Sequence, residues 1–178
     1  GFHTDPVGLL LSHRADWAIV SEVEQNDDVL FKPLFSYEMV GICSKDHPLA
    51  NKEVWQAEDF AEETWVTYPV PDDMLDLYRQ VLKPKGINPP RRTTELTIAL
   101  IQLVASRRGI ATVPYWAALP YLEKGYVVAR KITEEGLYSN LYAAIRKEDA
   151  NLAYIEDFHQ TVKAQSFSTL PGLSVLEL

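Results

Sequence analysis

Ser21, Ser44, Thr67, Tyr68 and Thr97 carry hydroxyls at the ends of apolar runs or at the starts of helical patterns. Hydroxyls in such places, joined to the free N–H groups of a helix start, can hold a carboxylate. The first N–H groups of a helix lack partners, and the helix dipole favours an anion there. Singly, each of the five is an ordinary cap; together they read as an anion-holding set.

Other chemistry is poorly supplied. His3, His13, His47 and His159 show none of the close pairing a metal site on a helix needs, so no metal is expected. Cys43 is the single cysteine and lies in an apolar run, where a structural thiol is the commoner outcome. Glu62-Glu63, Asp72-Asp73 and Glu134-Glu135 fall in polar turns or helix starts and read as solvated surface. GxSxG, P-loop and dinucleotide fingerprints are absent, so an enzyme is not expected, and neither is a cofactor.

The elements that must position the hydroxyls follow from the hydrophobic pattern. Thr4 and Asp5 ahead of Pro6 start a helix through Leu9, Leu10 and His13. The run 15–21 suits a strand buried on both faces, as in parallel sheets, and Leu30 to Ser44 has the length of two extended segments, with Pro33 at an edge or a strand start. A turn follows at Lys45-Asp46-His47-Pro48. Trp65 to Tyr68 reads as a strand, and Asp72 caps a helix carrying Leu75, Tyr78, Val81 and Leu82 that Pro84 and Gly86 end. Arg91 to Glu95 is extended. Thr97 caps a helix over 98–107 with Ile98, Ile101, Val104 and Ala105 on one face, Gly109 stops it, and 110–113 returns as a strand. A short helix over 117–122 and strands over 126–132 and 137–146 lead to a last helix with a stripe of Leu152, Ile155, Phe158 and Val162. This alternation predicts an α/β architecture, whose ligands bind beyond the carboxyl ends of the strands.

The 178 residues carry 17 Lys plus Arg against 25 Asp plus Glu, a net charge of -8 that opposes association with phosphate backbones. One cysteine excludes an internal disulfide and suits the cytoplasm; no apolar run is long enough to span a membrane.

Three segments carry a resemblance. His13-Arg14-Ala15-Asp16-Trp17-Ala18-Ile19-Val20 resembles the GELDLAIV segment of LysR-type effector domains. Lys45-Asp46-His47-Pro48-Leu49-Ala50 resembles their HPLA turn, and Leu103-Val104-Ala105 with Gly109-Ile110-Ala111 resembles their LVAxGxGIAxLP helix and strand. In this order and spacing they cover nearly the whole chain, with Arg108 a departure where a small residue is usual. Within the family, Thr67-Tyr68-Pro69-Val70, Ile101 to Ala105 and Leu141-Tyr142-Ala143-Ala144 are most similar to regulators of methionine biosynthesis that respond to homocysteine.

The resemblance implies two Rossmann-like lobes of periplasmic-binding-protein type joined by two crossover strands, near Ile42 to Lys45 and Ser139 to Ala143. Residues 1–45 and 138–178 would form lobe I, incomplete at its N-terminus, and 46–137 lobe II. Family cleft positions map onto Ser21, Ser44, Thr67, Tyr68 and Thr97, with Ser44 and Thr97 expected to face each other across the cleft. The partners implied are homocysteine or a related amino acid, further copies of the chain, and DNA through an upstream winged helix-turn-helix. A periplasmic solute-binding protein for an amino acid, built on a related clamp, is the alternative.

Overall fold

In the computed structural model, residues 5–176 are described; His3 and the expected cap Thr4 lie outside them. In chain order the elements are α1 (Pro6–Leu11), β1 (Ala18–Val20), β2 (Val29–Cys43), β3 (Val54–Trp55), β4 (Trp65–Thr67), β5 (Arg91–Thr93), α2 (Thr97–Ala105), β6 (Ile110–Pro114), α3 (Tyr115–Glu123), β7 (Val128–Ile132), β8 (Leu137–Arg146), α4 (Ala153–Thr169) and β9 (Leu173–Ser174). They form two units, one of residues 1–37 with 139–178 and one of residues 38–138. The chain passes between them inside β2, at Tyr37–Glu38, and inside β8, at Tyr138–Ser139.

In the discontinuous unit, Asp5 caps α1 by accepting from Gly8 N at 2.8 Å. β1 pairs antiparallel with β8, Ala18 opposite Ala144, and β9 pairs antiparallel with β2. The expectation of a parallel strand buried on both faces at 15–21 is therefore corrected: β1 has an antiparallel partner, and Ile19 is exposed. The stretch expected as two segments is one long strand, Val29–Cys43, and Pro33 lies ahead of the registered pairs with β9, β6 and β7, where a missing N–H breaks none of those ladders.

Arg146, with 7% of its side chain exposed, closes this unit. Its guanidinium donates to Leu10 O at 2.9 Å, Ala15 O at 2.6 Å, Asp16 at 2.7 Å and Asp149 at 2.6 Å. The end of β8 is thereby tied to the connection between α1 and β1.

α4 turns its face differently from the expected stripe. Ile155 and His159 are its buried residues, while Leu152 and Phe158 are exposed, Phe158 at 49% with its ring edge-on to Trp17 at 5.1 Å. A salt bridge joins Lys32 of β2 to Glu156 of this helix. His159 Nδ1 is buried without a partner. Burial pushes its pKa down, Lys32 and Lys163 push the same way, and Glu156 opposes them.

In the contiguous unit, β6, β4 and β5 run parallel: Trp65 lies opposite both Ile110 and Arg91. β2 joins antiparallel to β6 and β7, and β3 runs parallel to β7. Trp55, Phe60, Trp65, Leu77, Leu82, Ile110 and Ile132 build one core; Val66, Leu100, Ile101, Val104, Ala111 and Val113 build another beneath α2. Thr97 is not the cap of α2. Leu96, extended at φ −108° and ψ 129°, holds that place and Thr97 is the first helical residue. Ile98 turns outward and Leu100 takes the buried face. The helix expected from Asp72 is instead a 3-10 turn over Asp72–Met74, a π-helical turn over Tyr78–Leu82 and a second 3-10 turn over Lys83–Lys85. Pro84, which has no N–H to return to the preceding turn, lies where the π-helical turn gives way to the second 3-10 turn.

Gly109, at φ 153°, sits where a Cβ would meet Thr64 O at 2.2 Å, the carbonyl that also accepts from Ile110 N. Gly109→Ala is expected to destabilise the chain by about 1–3 kcal/mol in urea denaturation; an unchanged midpoint would mean the contact relaxes freely.

His159 supplies a pH prediction. A depressed native pKa means the unfolded chain binds the proton more readily, so its contribution is complete above the ordinary value of 6.5 and is lost as pH falls below it. His159→Leu should flatten the acid side of the stability curve, and an unchanged acid slope would assign that slope to other groups.

Candidate ligand site

β4 ends at Thr67 between its two parallel neighbours, so the chain leaves the sheet there as Tyr68. Thr67 is 3% exposed, and its hydroxyl donates to Tyr68 O at 2.7 Å while accepting from Arg91 Nη2 at 3.1 Å. Its carbonyl accepts from Thr94 N at 2.9 Å. A hydroxyl has one proton. That of Thr67 is already committed within the fold, which makes Thr67 a support and not a donor to a ligand.

Tyr68 reaches the start of α2. Its hydroxyl lies 2.7 Å from Thr97 Oγ1. Two hydroxyls in contact use one proton between them and keep the other to donate outward, with lone pairs to spare. Leu100 N donates to Leu96 O at 3.0 Å, so the N–H groups of Thr97, Ile98 and Ala99 precede the first donor bonded within the helix. Hydroxyl and N–H donors thus converge where the dipole of α2 is positive, an arrangement suited to a carboxylate.

The two remaining expected residues are placed otherwise. Ser44 follows β2, is buried, and accepts from Asp46 N at 3.4 Å through Oγ and from His47 N at 3.0 Å through its carbonyl, so these bonds shape its own turn. It shares the contiguous unit with Thr97. Ser21 is exposed in the bend after β1, in the other unit.

The remaining chemical candidates serve structure. His47 Nδ1 accepts from Leu49 N at 3.1 Å, which puts the ring proton on Nε2 to donate to Glu63 at 3.1 Å. Asp72 and Asp73 pair with Arg91 and Lys83. Asp72 and Asp73, 48% and 70% exposed, are surface carboxylates as expected, and Glu63, 31% exposed, is partly buried against His47. Burial pushes the Cys43 thiol up to about 11, Arg130 opposing and Glu63 adding, so it stays protonated at neutral pH and is no nucleophile. Among the described residues no group of three or more His, Cys, Asp and Glu is placed to hold a metal ion, and no helix is long and apolar enough to cross a membrane. Arg91 was missed by sequence reasoning: nothing in a polar edge strand signals that its guanidinium folds back onto Thr67.

Parallel strands ending in hydroxyls beside a helix start define a small-molecule-binding α/β domain. The chain belongs to the LysR substrate binding domain family, which it matches over residues 1–166. It is 85% identical over its full 178 residues to the HTH-type transcriptional regulator MetR of Haemophilus influenzae, and it spans 58% of that protein's length. The solved regulatory domain of MetR from N. meningitidis, a LysR family regulator, is 66% identical with a TM-score of 0.93, covering 99% of this chain and 82% of that one. The effector binding domain of QuiR in complex with shikimate shares the fold at 23% identity and a TM-score of 0.75, over 93% of this chain and 79% of that one. The α/β fold of periplasmic-binding-protein type expected from the sequence is the fold of these domains.

Because Tyr68→Phe and Thr97→Val each remove the same hydrogen bond, each should cost about 0.5–1.5 kcal/mol, and the double variant less than their sum. Full additivity in urea denaturation would mean the two hydroxyls do not pair in solution.

Proposed function

We propose that this chain senses homocysteine, or a closely related amino acid, as the effector domain of a LysR-type transcriptional regulator. The observation that carries the proposal is the Tyr68–Thr97 hydroxyl pair at the start of α2, with the N–H groups beside it. The ligand's carboxylate takes those donors. Leu96 and Ile98, 63% and 56% exposed on either side of Thr97, offer apolar surface to a short thiol-bearing stem. The resemblance of Thr67 to Val70, Ile101 to Ala105 and Leu141 to Ala144 to homocysteine-responsive regulators supports the choice of homocysteine, and family membership favours a regulator over a solute-binding clamp.

Ser21, carried by the discontinuous unit, and Ser44, carried by the contiguous one, are proposed as further effector-binding hydroxyls. The longer protein then acts in the cytoplasm as at least a dimer, contacting DNA through a winged helix-turn-helix outside this chain. A symmetric oligomer matches paired operator half-sites. Effector binding can shift such an assembly only by the difference in its affinity for the two states.

Calorimetric titration of the chain with homocysteine tests the proposal, with methionine and homoserine as comparators. Saturable binding is expected, weakened by about 1–3 kcal/mol in Thr97→Val, the range for losing a hydrogen bond to a charged group. Absence of binding by any of the three would overturn the choice of ligand, and an unchanged affinity in Thr97→Val would remove that residue from the site.

A further inference from the structure

Arg91 opens β5 opposite Trp65 of β4. Its guanidinium carbon lies 5.4 Å from the centroid of the Trp65 ring, Nη2 donates to Thr67 Oγ1 at 3.1 Å, and Nη1 donates to Asp72. The ring fixes the plane of the guanidinium and the two prongs fix its direction, a geometry that a lysine ammonium cannot reproduce.

The partners differ in what they contribute. Asp72 is 48% exposed, so as an ion pair alone it would contribute little. Trp65 and Thr67 are buried, and they anchor the guanidinium to the sheet. By accepting from Arg91 and donating to Tyr68 O, the Thr67 hydroxyl is held in one orientation. Asp72 begins the 3-10 turn at the far end of the same connection. Arg91 therefore grips segment 68–71 at both ends, and from that segment Tyr68 extends to Thr97.

We propose that Arg91 is a positioning residue for the ligand site: it clamps the connection after β4 so that the Tyr68 hydroxyl meets Thr97 with one proton left to donate. This rests on the proposed site at Tyr68 and Thr97, and it acts through Tyr68.

Two variants test it. Arg91→Met keeps an unbranched stem over Trp65 and removes both prongs; Arg91→Lys keeps the charge and lacks the fork. In ligand-free chain, nuclear magnetic resonance follows the Tyr68 ring and the Thr97 methyl, and calorimetry with homocysteine follows affinity. Arg91→Met is expected to move both signals and to weaken binding roughly tenfold, about 1.4 kcal/mol. Added to Thr97→Val, it should weaken binding by much less than that, because both act on one network. Arg91→Lys should do the same in smaller measure, and it carries the test alone if Arg91→Met fails to fold. Unmoved Tyr68 and Thr97 signals in the variants, fully additive losses, or wild-type affinity in Arg91→Lys would each overturn the proposal. Moved signals in a chain that does not bind homocysteine would uphold the positioning role and overturn only the ligand.

Discussion

Parallel pairing of β4 with β5 and β6 is the constraint on which the contiguous unit depends. Parallel strands cannot be joined by tight turns, so each connection must cross over a face of the sheet and cover it. α2 makes one such crossing and buries Leu100, Ile101 and Val104; the segment of 3-10 and π-helical turns makes the other and buries Leu77 and Leu82. The same pairing sets the carboxyl ends of the strands beside the start of the returning helix. Tyr68 and Thr97 meet because β4 ends where α2 begins, not because they are near in sequence.

The discontinuous unit is secured by different means. Its registered pairs are antiparallel, and its connections are tied by a buried cation, Arg146, with four acceptor groups around it. Such a cation is tolerated only when its N–H groups are met by oxygens, and removing one partner leaves a charge uncompensated. Apolar packing over parallel strands carries one unit, and a guanidinium making four hydrogen bonds closes the other.

Local signals were legible wherever one physical cause dominated. The strand Leu137–Arg146 was readable to its ends from its β-formers and the turn before it, whereas α2 ends at Ala105, short of the expected 107, because Arg107, not Gly109, takes the left-handed turn that closes it at φ 60°. Where two causes competed, the reading slipped. Asp72 followed by apolar residues at helical spacing reads as one helix, but the segment is a series of short 3-10 and π-helical turns, with Pro84 at the junction of the last two. The stripe on α4 was misjudged by about one residue because a histidine took the buried position and Phe158 packed edge-on against Trp17. At the site, hydroxyl-bearing residues at element ends were visible as types. That Thr67 accepts from Arg91, while Tyr68 and Thr97 share a bond, depends on partners 24 and 29 positions away, which no local pattern encodes.

One unit is an uninterrupted stretch of chain, while the other is split around it, and this orders their assembly during synthesis. Everything the contiguous unit needs has left the ribosome once Tyr138 emerges, whereas Lys32 must wait for Glu156, 124 positions later, before its salt bridge can form. Closing so long a flexible loop carries an entropic cost that grows with its length. Residues 38–138 folding first would turn most of that loop into a body of fixed dimensions, whose two exits are the strands the other unit needs. A nascent chain therefore has good reason to build its middle before its ends.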